Sequence, residues 1–334
     1  MKRYDTKDLR NIAILGQRGA GKTSLAEAMI FNAGHTTRLG NVDEATSLFD
    51  TEPEEIKRHS TIHTAVAYAE WKKRKINVLD VPGAADFNYD MRMSLRVADA
   101  AVLVVGATDG VQVGTEKAWN AIQERSLPSC VYISQMDRER ANFEEVLASV
   151  QADLTRLAAP VQVPIGKESG FRGVVDLVAR KALVFSADGK DMKEEAIPAD
   201  LADTVSTFRD KLLEMVAETD DVLMEKFFGG ELTDDDLKTG LAKAITAGKL
   251  VPVLCGAAKR NLGVQPLMDL VVNLFPSPDQ RPTLEAKKGE TVVPLAADPD
   301  KTFVGLVFKT ASADIGKLSL VKVVQGTVVG DTNY

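Results

Sequence analysis

The stretch NIAILGQRGAGKTS, residues 11–24, decides how the rest of the chain is interpreted. It begins with a continuous apolar run, residues 12–15, as in a parallel strand that is buried on both faces. Behind the run come three glycines and a lysine–threonine pair, at Gly16, Gly19, Gly21, Lys22 and Thr23. The spacing G-x-x-x-x-G-K-T between a strand and a helix is typical of a loop whose backbone N–H groups cradle phosphates. The sequence therefore predicts a binding site for a nucleoside phosphate.

Each residue type in this loop has a chemical role. The ammonium group of Lys22 is placed to reach the outer phosphates, and the Thr23 hydroxyl is placed to hold Mg²⁺. The predicted nucleotide-binding residues of the loop are Gly16, Gln17, Arg18, Gly19, Ala20, Gly21, Lys22, Thr23 and Ser24. A plain glycine-rich turn is the alternative, and the flanking strand and helix argue against it.

The composition is typical of a globular protein without a membrane anchor. Of the 334 residues, 45% are hydrophobic and 27% are charged, within the usual range. No apolar run approaches the roughly 20 residues that span a bilayer, and the N-terminal MKRYDTKDLR lacks the apolar core of a signal peptide. Cys130 and Cys255 lie in apolar runs and are predicted to be buried free thiols. We therefore expect a cytoplasmic location and no membrane partner.

The net charge of −7 is concentrated in one segment. Residues 181–250 hold 9 Lys and Arg against 16 Asp and Glu, whereas the rest of the chain holds 32 of each sign. No surface for general nucleic-acid binding is therefore expected. The acidic segment is either a solvated face or a surface that meets a basic partner.

Strands and helices alternate over the first half of the chain. Apolar strands are predicted over residues 65–71, 76–79, 100–105 and 130–134, and helices over residues 89–97, 116–124 and 143–157. This alternation predicts an α/β fold with a mostly parallel sheet and helices on both of its faces. In such sheets, ligands bind beyond the carboxyl ends of the strands.

The alternation stops near residue 158 and resumes near residue 250. Between these points we predict short strands at residues 173–177 and 181–185 together with amphipathic helices. The predicted organisation is a nucleotide-binding domain over 1–157 and 251–278, an inserted acidic α+β subdomain over 158–250, a proline-marked linker over 279–302, and the start of a second β domain over 303–334. About thirty residues cannot close a barrel, so we expect this β domain to be incomplete.

Residues 34–61 show no sustained periodicity. A loop of this length within a compact domain is usually functional or disordered. Its last residue, Thr61, precedes a strand, where the hydroxyl could bind Mg²⁺ and the N–H a terminal phosphate. We expect little besides these contacts of Thr61 to hold the loop, so that it is ordered, if at all, only with a GTP analogue.

Three further motifs end predicted strands. In DVPG, Asp80 is expected to face the metal ion and the Gly83 N–H the γ-phosphate. In SQMD, the Asp137 carboxylate can accept two N–H bonds from guanine, and in LCGAA the Ala258 N–H can reach the guanine carbonyl. The predicted base-site residues are Ser134, Gln135, Asp137, Gly256, Ala257 and Ala258, and the predicted metal ligands are Thr23, Thr61 and Asp80.

With these motifs the chain resembles a translational GTPase, specifically the elongation factor G family. The resemblance extends over nearly the whole sequence, through RYDTKDLRNIAILG, IGKESGFRGVVDLVARKA, VPVLCGAAKRNLGVQPLMDLVVNLFPSP and FVGLVFKTASADIGKLSLVKVVQGTV. It implies that GTP or GDP and Mg²⁺ are the ligands, that GTP is hydrolysed to GDP and phosphate, and that the ribosome is the partner. It also implies that the C-terminal strands open a second, β-barrel domain, after which three more domains usually follow in the family.

The sequence departs from the family at positions that bear on nucleotide binding. Gln17 and Gly19 stand where the family's phosphate loop has His and Asp. The base motif has Ser134 and Gln135 in place of Asn and Lys, and Ala257 in place of Ser.

The substitution that is expected to affect hydrolysis most lies directly after the DVPG motif. There the family has a His that positions the attacking water, and this chain has Ala84. The three histidines, His35, His59 and His63, lie elsewhere in the sequence. We interpret His59 and His63 as surface-loop residues, and a substitute catalytic role for one of them is the alternative. We therefore expect that no side chain at this position takes the catalytic role and that hydrolysis is slow, with charge still stabilised by Lys22, Thr61 and Gly83.

Three hypotheses about function follow. The first is a divergent GTPase that resembles elongation factor G and works on ribosomes. The second is a regulatory paralogue that binds the nucleotide and switches conformation but hardly hydrolyses GTP. The third is a phosphate-loop protein that binds another nucleotide or none.

Overall fold

The computed structural model describes residues 4–313 and 316–333, so residues 1–3, 314, 315 and 334 of the predicted domains lie outside the described residues. In chain order the strands are β1 (Leu9–Gly16), β2 (Ala65–Trp71), β3 (Arg74–Asp80), β4 (Ala100–Gly106), β5 (Ser129–Ser134), β6 (Ala158–Pro160), β7 (Gln162–Ile165), β8 (Gly173–Asp176), β9 (Lys181–Phe185), β10 (Met192–Glu195), β11 (Val251–Cys255), β12 (Leu284–Lys288), β13 (Thr291–Leu295), β14 (Val304–Ala313) and β15 (Gly316–Gln325). The α-helices are α1 (Lys22–Asn32), α2 (Pro53–Arg58), α3 (Asn88–Val97), α4 (Val113–Glu124), α5 (Phe143–Ser149), α6 (Ala202–Ala217), α7 (Asp221–Phe228), α8 (Asp234–Thr246) and α9 (Val264–Leu274).

Seven strands form a central sheet in the order β2-β3-β1-β4-β5-β11-β6. Only the β2–β3 pair is antiparallel, and the other neighbouring pairs run parallel. Ile14 pairs with Asp80, and Gly16 pairs with Val104. The phosphate loop and the DVPG turn therefore leave the same edge of the sheet. The predicted α/β class with a mostly parallel sheet is confirmed.

Helices cover both faces of this sheet. On one face, Ile12, Ile14 and Val102 pack in a buried cluster with α1, α6, α8 and α9. On the other face, Ala13 and Leu15 pack in a cluster with α3, α4 and α5. Because successive side chains of a strand point to opposite faces, a strand that is covered twice must be apolar at every position. This is the physical reason for the uninterrupted apolar run in β1.

Strand β6 differs from the expected organisation. We assigned residues 158–160 to the insertion, but they pair parallel with β11 in the central sheet, with Val251 beside Ala158 and Val253 beside Pro160. The strand has three residues, too few to show a periodicity. It also ends in proline, which a strand at the edge of a sheet tolerates. The segment between β6 and β11 forms a separate antiparallel sheet, β10-β9-β8-β7, and the helices α6–α8.

Three other segments differ from the sequence predictions. The helix expected over 143–157 ends at Ser149 and continues as a π-helical turn over Val150–Leu154. The loop 34–61 contains the short helix α2, which begins with Pro53 and a capping box between Glu52 and Glu55. In the expected linker 279–302, β12 and β13 form an antiparallel hairpin. These elements have five to seven residues, which is short for a periodicity to be recognised.

The C-terminal strands β14 and β15 form an antiparallel pair, as expected of a β segment. Residues 326–329, which belong to the predicted β domain, form no strand. Lys309 Nζ donates to the Thr64 carbonyl at 2.6 Å, and Lys322 Nζ lies 2.6 Å from Asp99. The first contact holds the pair against the residue before β2, and the second holds it against the segment between α3 and β4. None of the described helices combines the length and the apolar character needed to cross a membrane.

Candidate functional site

The predicted site motifs come together at the carboxyl edge of the central sheet. The loops after β1, β3, β5 and β11 leave this edge, and residue 61 reaches it from the loop that precedes β2. Met136 donates its N–H to the Gly256 carbonyl at 3.1 Å, so the SQMD and LCGAA loops touch directly. Parallel strands produce this convergence because all their carboxyl ends lie on one side.

The phosphate loop is built on glycine geometry. Gly16, Gly19 and Gly21 have φ values of +140°, +81° and +94°, in the region that other residues rarely adopt. A β-carbon on Gly16 would lie 2.2 Å from the Val104 carbonyl oxygen, which excludes any side chain there. No side chain caps the N-terminus of α1. Its first N–H groups are therefore available to an anion.

Lys22 lies inside this loop. Its side chain is 6% exposed, and Nζ donates to the Gln17 carbonyl at 3.0 Å. Burial lowers its pKa to about 8, although Asp80 opposes the shift. A β-carbon on Gly83 would lie 2.3 Å from Lys22 Nζ and 2.8 Å from the Arg18 nitrogen. The DVPG turn thus packs directly on the phosphate loop, which is possible only with glycine at position 83.

The three predicted metal ligands lie together. Thr23 Oγ1 donates to Asp80 Oδ2 at 2.7 Å and is 3.0 Å from Thr61 Oγ1. Asp80 is fully buried, and burial raises its pKa to about 7. Its other oxygen, Oδ1, is buried without a hydrogen-bond partner among the described residues.

This arrangement fits Mg²⁺, which prefers oxygen ligands and usually keeps several waters and substrate phosphates around it. An unpaired, buried carboxylate oxygen is an acceptor that such a cation would satisfy. The described residues contain no cluster of three or more His, Cys, Asp and Glu side chains suited to a metal ion. A cation here would accordingly depend on the threonine hydroxyls and on the phosphates of the nucleotide.

The base-site residues surround a small cavity of about 90 Å³. It is lined by Gly21, Ser24, Ser134, Gln135, Asp137, Arg138, Ala258 and Lys259. Asp137 from one loop and Ala258 from the other therefore border the same space. Gly256 and Ala257 stand behind it: a β-carbon on Gly256 would lie 2.0 Å from the Tyr132 hydroxyl, and the Ala257 N–H donates to the Leu262 carbonyl at 2.8 Å.

Ser134 and Gln135, the substituted residues of the base motif, both contact the phosphate loop. Ser134 Oγ donates to the Ala20 carbonyl at 2.5 Å, and Gln135 Nε2 donates to the Gly19 carbonyl at 2.8 Å. These bonds hold the carbonyls of two successive residues, Gly19 and Ala20. They therefore connect the SQMD loop to the phosphate loop.

Ala84 is half-buried and borders a cavity of about 280 Å³ beside the phosphate loop. Its methyl group has no hydrogen-bonding atom. Among the described residues, none of the three histidines lines this cavity. His59 Nδ1 lies 3.1 Å from the Val42 carbonyl, His63 Nδ1 is 3.8 Å from Asp90, and the His35 ring packs against Tyr68.

The loop 34–61 is held by two buried carboxylates that the sequence reasoning missed. Glu55 accepts four backbone N–H bonds, from Thr51, Glu52, Ile62 and His63, at 2.8–3.2 Å. Glu27, on α1, accepts bonds from the Ser47 hydroxyl at 2.8 Å and from the N–H groups of Leu48 and Phe49. The expectation that little besides Thr61 holds this loop is therefore wrong.

Signals for these anchors are present in the sequence. Glu27 is an acidic residue within the apolar helix LAEAMIF, which is unusual for a buried face. Glu52 and Glu55 flank Pro53 with the spacing of a capping box. Two other contacts have no local signal: Asp50 Oδ1 lies 3.5 Å from Thr61 Oγ1, and Lys259 forms an ion pair with Asp43 across the site.

A buried amide cluster connects the site to the inserted segment. Asn32 at the end of α1 donates to Asn261 Oδ1 at 2.5 Å, and Asn261 donates to the Gly189 carbonyl at 2.9 Å. Gln265 donates to the Lys190 carbonyl at 2.9 Å. Asn261 follows the LCGAA loop and has φ +57°, a conformation that asparagine tolerates better than most residues. The turn between β9 and β10 is thus tied to the base side of the site.

Comparison with known proteins gives a matching family and a similar solved structure. A sequence profile of the elongation factor Tu GTP binding domain matches residues 7–277. Among solved structures, the chain is similar to a protein of Thermus thermophilus, with 30% sequence identity and a TM-score of 0.84 over 95% of this chain. The chain spans 45% of the length of that protein.

The anchoring of the loop 34–61 can be tested with Glu55→Gln. The substitution removes the charge and points an NH₂ group at backbone donors. Because hydrogen bonds to charged groups contribute about 1.5–3 kcal/mol, the amides of Thr51, Glu52, Ile62 and His63 are expected to exchange roughly tenfold faster or more. Hydrogen exchange with mass spectrometry measures this. The control is Glu54→Gln, whose side chain pairs with Arg58 on the surface; equal exchange in both variants would contradict the assignment.

Proposed function

The chain belongs to the elongation factor Tu GTP-binding domain family of translational GTPases, and on this premise we propose that it acts on the ribosome as a divergent GTPase resembling elongation factor G. Guanine-nucleotide binding is the general property of this family. The observation that carries the proposal is the convergence of four strand-end loops on one site, with Lys22, Asp80 and Asp137 from three of them. The role in elongation rests on the sequence resemblance.

In the proposed complex, the phosphates lie on the glycine loop and the N-terminus of α1. Lys22 binds the β- and γ-phosphates, and the Gly83 N–H reaches the γ-phosphate. Thr23, Thr61 and Asp80 hold Mg²⁺, which neutralises charge on the β- and γ-phosphates when it is bound. The free site contains a buried lysine and a buried aspartate with shifted pKa values. Such shifts are common where a protein binds a charged ligand.

At the other end of the site, Asp137 accepts two N–H bonds from guanine, and the Ala258 N–H donates to the guanine carbonyl. Adenine lacks the two donors and would leave a carboxylate unpaired, which a polar site rejects strongly. The bonds from Ser134 and Gln135 to the phosphate loop support this end of the site. We propose weaker guanine binding than in the family, because neither side chain replaces the lysine stem over the base.

Hydrolysis is proposed to be slow. The reaction needs a positioned water and stabilised charge. Lys22 and the Gly83 N–H supply charge stabilisation, whereas the Ala84 methyl cannot orient a water. The alternative function is therefore a regulatory paralogue that binds the nucleotide and switches conformation but hardly hydrolyses it. Ala84 and the absence of a histidine among the described residues that line its cavity favour this alternative. Turnover with and without ribosomes separates the two.

The remaining parts of the proposal concern the whole protein. We propose a nucleotide-binding domain with an inserted acidic subdomain after β6, followed by a β-barrel domain that begins with β14 and β15. The ribosome is the proposed partner and the cytoplasm the proposed location. The proposed partner and the proposed location both rest on the resemblance to translation factors.

Removal of the phosphate-binding charge tests the nucleotide site. Lys22→Ala is expected to abolish GDP and GTP binding in calorimetry, because no other described ammonium group lies within the loop. Circular dichroism should show an intact fold. Lys57→Ala, on the exposed face of α2, is the control and should bind as the wild type does. Unchanged affinity in Lys22→Ala would refute the assignment of the phosphate site.

Base selectivity tests the role of Asp137. The wild type is expected to bind GDP more tightly than ADP. In Asp137→Ala the ratio of GDP affinity to ADP affinity should fall at least about tenfold, since each hydrogen bond to a charged group contributes roughly 1.5–3 kcal/mol. Competition between the two nucleotides measures the ratio, and Glu139→Ala, on the exposed side of the same loop, is the control. Equal affinities of the wild type for ADP and GDP would show that Asp137 does not read the base.

The catalytic deficit can be tested by Ala84→His in single-turnover hydrolysis on ribosomes. A positioned proton-handling or water-orienting group typically contributes about 10²–10⁴ in rate, so this variant should be faster than the wild type. Asn88→His places a histidine at another position lining the same cavity and should have no effect. Fast wild-type hydrolysis that is lost in His59→Ala or His63→Ala would show that the catalytic group lies elsewhere.

A further inference from the structure

We infer that Arg18, in the middle of the phosphate loop, binds the γ-phosphate and stabilises its charge during hydrolysis. The inference rests on the proposed GTPase function and adds a catalytic residue to it. The sequence motif requires no charged side chain at this position, because the G-x-x-x-x-G-K-T pattern leaves it open.

The position of Arg18 supports this role. Its backbone nitrogen faces Gly83, where a β-carbon would lie only 2.8 Å away. Arg18, Gly83 and Ala84 border the same 280 Å³ cavity. Arg18 therefore borders the same space as the turn whose N–H is proposed to bind the γ-phosphate. It is also next to the position where this chain has no water-orienting side chain.

The side chain of Arg18 is available for a ligand. It is exposed, and its guanidinium donates to the Arg58 carbonyl at 3.4 Å, which is long for a hydrogen bond. Among the described residues it has no ion-pair partner. Lys22, in contrast, is buried and bonded within the loop. A γ-phosphate would give the Arg18 guanidinium a stronger, charge-assisted acceptor than the carbonyl it now meets.

The contact with Arg58 also relates this cation to the loop 34–61. Arg58 ends α2, and Thr61 follows three residues later at the metal site. The Arg18 guanidinium thus contacts the end of the loop whose Thr61 is proposed to hold Mg²⁺.

The chemistry needs such a cation. In hydrolysis, the oxygen of a water forms a bond to the γ-phosphorus as the bond to the β–γ bridging oxygen breaks. The electron pair of the broken bond stays on GDP. One proton of the water stays on the attacking oxygen and the other passes to a γ-phosphoryl oxygen, so that both leave with the released phosphate. Charge then spreads over the γ-phosphoryl oxygens and the leaving β-phosphate. A planar guanidinium can bind two of these oxygens at once, and an arginine supplied from the same chain serves this purpose in other GTPases.

The test compares the ground state with an analogue of the transition state in the purified protein. Calorimetry measures binding of GDP·Mg²⁺ alone and of GDP·Mg²⁺ with aluminium fluoride, and single-turnover hydrolysis gives the rate. Arg18→Ala should bind GDP as the wild type does. Its affinity in the presence of aluminium fluoride and its rate should each fall at least about tenfold, since arginines of this kind contribute about 10³–10⁵ in kcat. Arg18→Lys should retain part of the affinity in the presence of aluminium fluoride and part of the rate. Lysine keeps the positive charge but lacks the paired N–H donors of the guanidinium.

The matched control is Arg58→Ala. It removes an equal charge close to Arg18, but its side chain pairs with Glu54 and only its carbonyl faces Arg18. Its affinity for GDP, its affinity in the presence of aluminium fluoride and its hydrolysis rate should equal those of the wild type. Hydrolysis by Arg18→Ala at the wild-type rate or faster, with GDP binding intact, would overturn the inference and leave the proposed function standing. Failure of the wild type to bind GDP would overturn both.

Discussion

The close contact between β1 and β4 is the constraint on which the site depends. Gly16 ends β1 so near the Val104 carbonyl oxygen that a β-carbon would be 2.2 Å away. This contact turns the chain into the phosphate loop at the edge of the sheet. Gly83, which follows β3, makes a similar close contact. A side chain there would collide with Lys22 and with the backbone of the phosphate loop. The backbone therefore approaches the phosphate position from two strands, and only glycine permits either approach.

Two opposite charges are buried next to this backbone. The pKa of Lys22 is lowered and that of Asp80 is raised, each chiefly because burial disfavours the charged form. Their mutual attraction opposes both shifts without cancelling them. One oxygen of Asp80 has no partner among the described residues. Such a site is poorly satisfied in the free protein, and phosphates and a cation bound as proposed would relieve part of this desolvation.

Buried carboxylates serve a different purpose around the loop 34–61. Glu27 and Glu55 take part in seven hydrogen bonds, six of them from backbone N–H groups. A loop with little regular structure has many N–H groups to satisfy, and a carboxylate can accept several at once. The loop therefore has a defined conformation that does not depend only on Thr61. A conformational switch in this loop would have to break these anchors as well as change the proposed contact with the nucleotide.

The sequence alone determined the α/β class, the phosphate loop and the strands that carry it, because each of these depends on residues that are near one another in the chain. Glycines at fixed spacing, a lysine–threonine pair and an uninterrupted apolar run are local signals of backbone geometry and burial. The positions of Asp137 and Ala258 could also be anticipated, since parallel strands end on one edge. Only the tertiary structure decided the rest. The pairing of β6, the bonds of Ser134 and Gln135 to the phosphate loop, the anchors at Glu27 and Glu55, and the amide cluster of Asn32, Asn261 and Gln265 all join residues whose partners are set by packing between distant segments. Local sequence does not encode such partners, because the same side chain is an ordinary surface group until another part of the chain covers it.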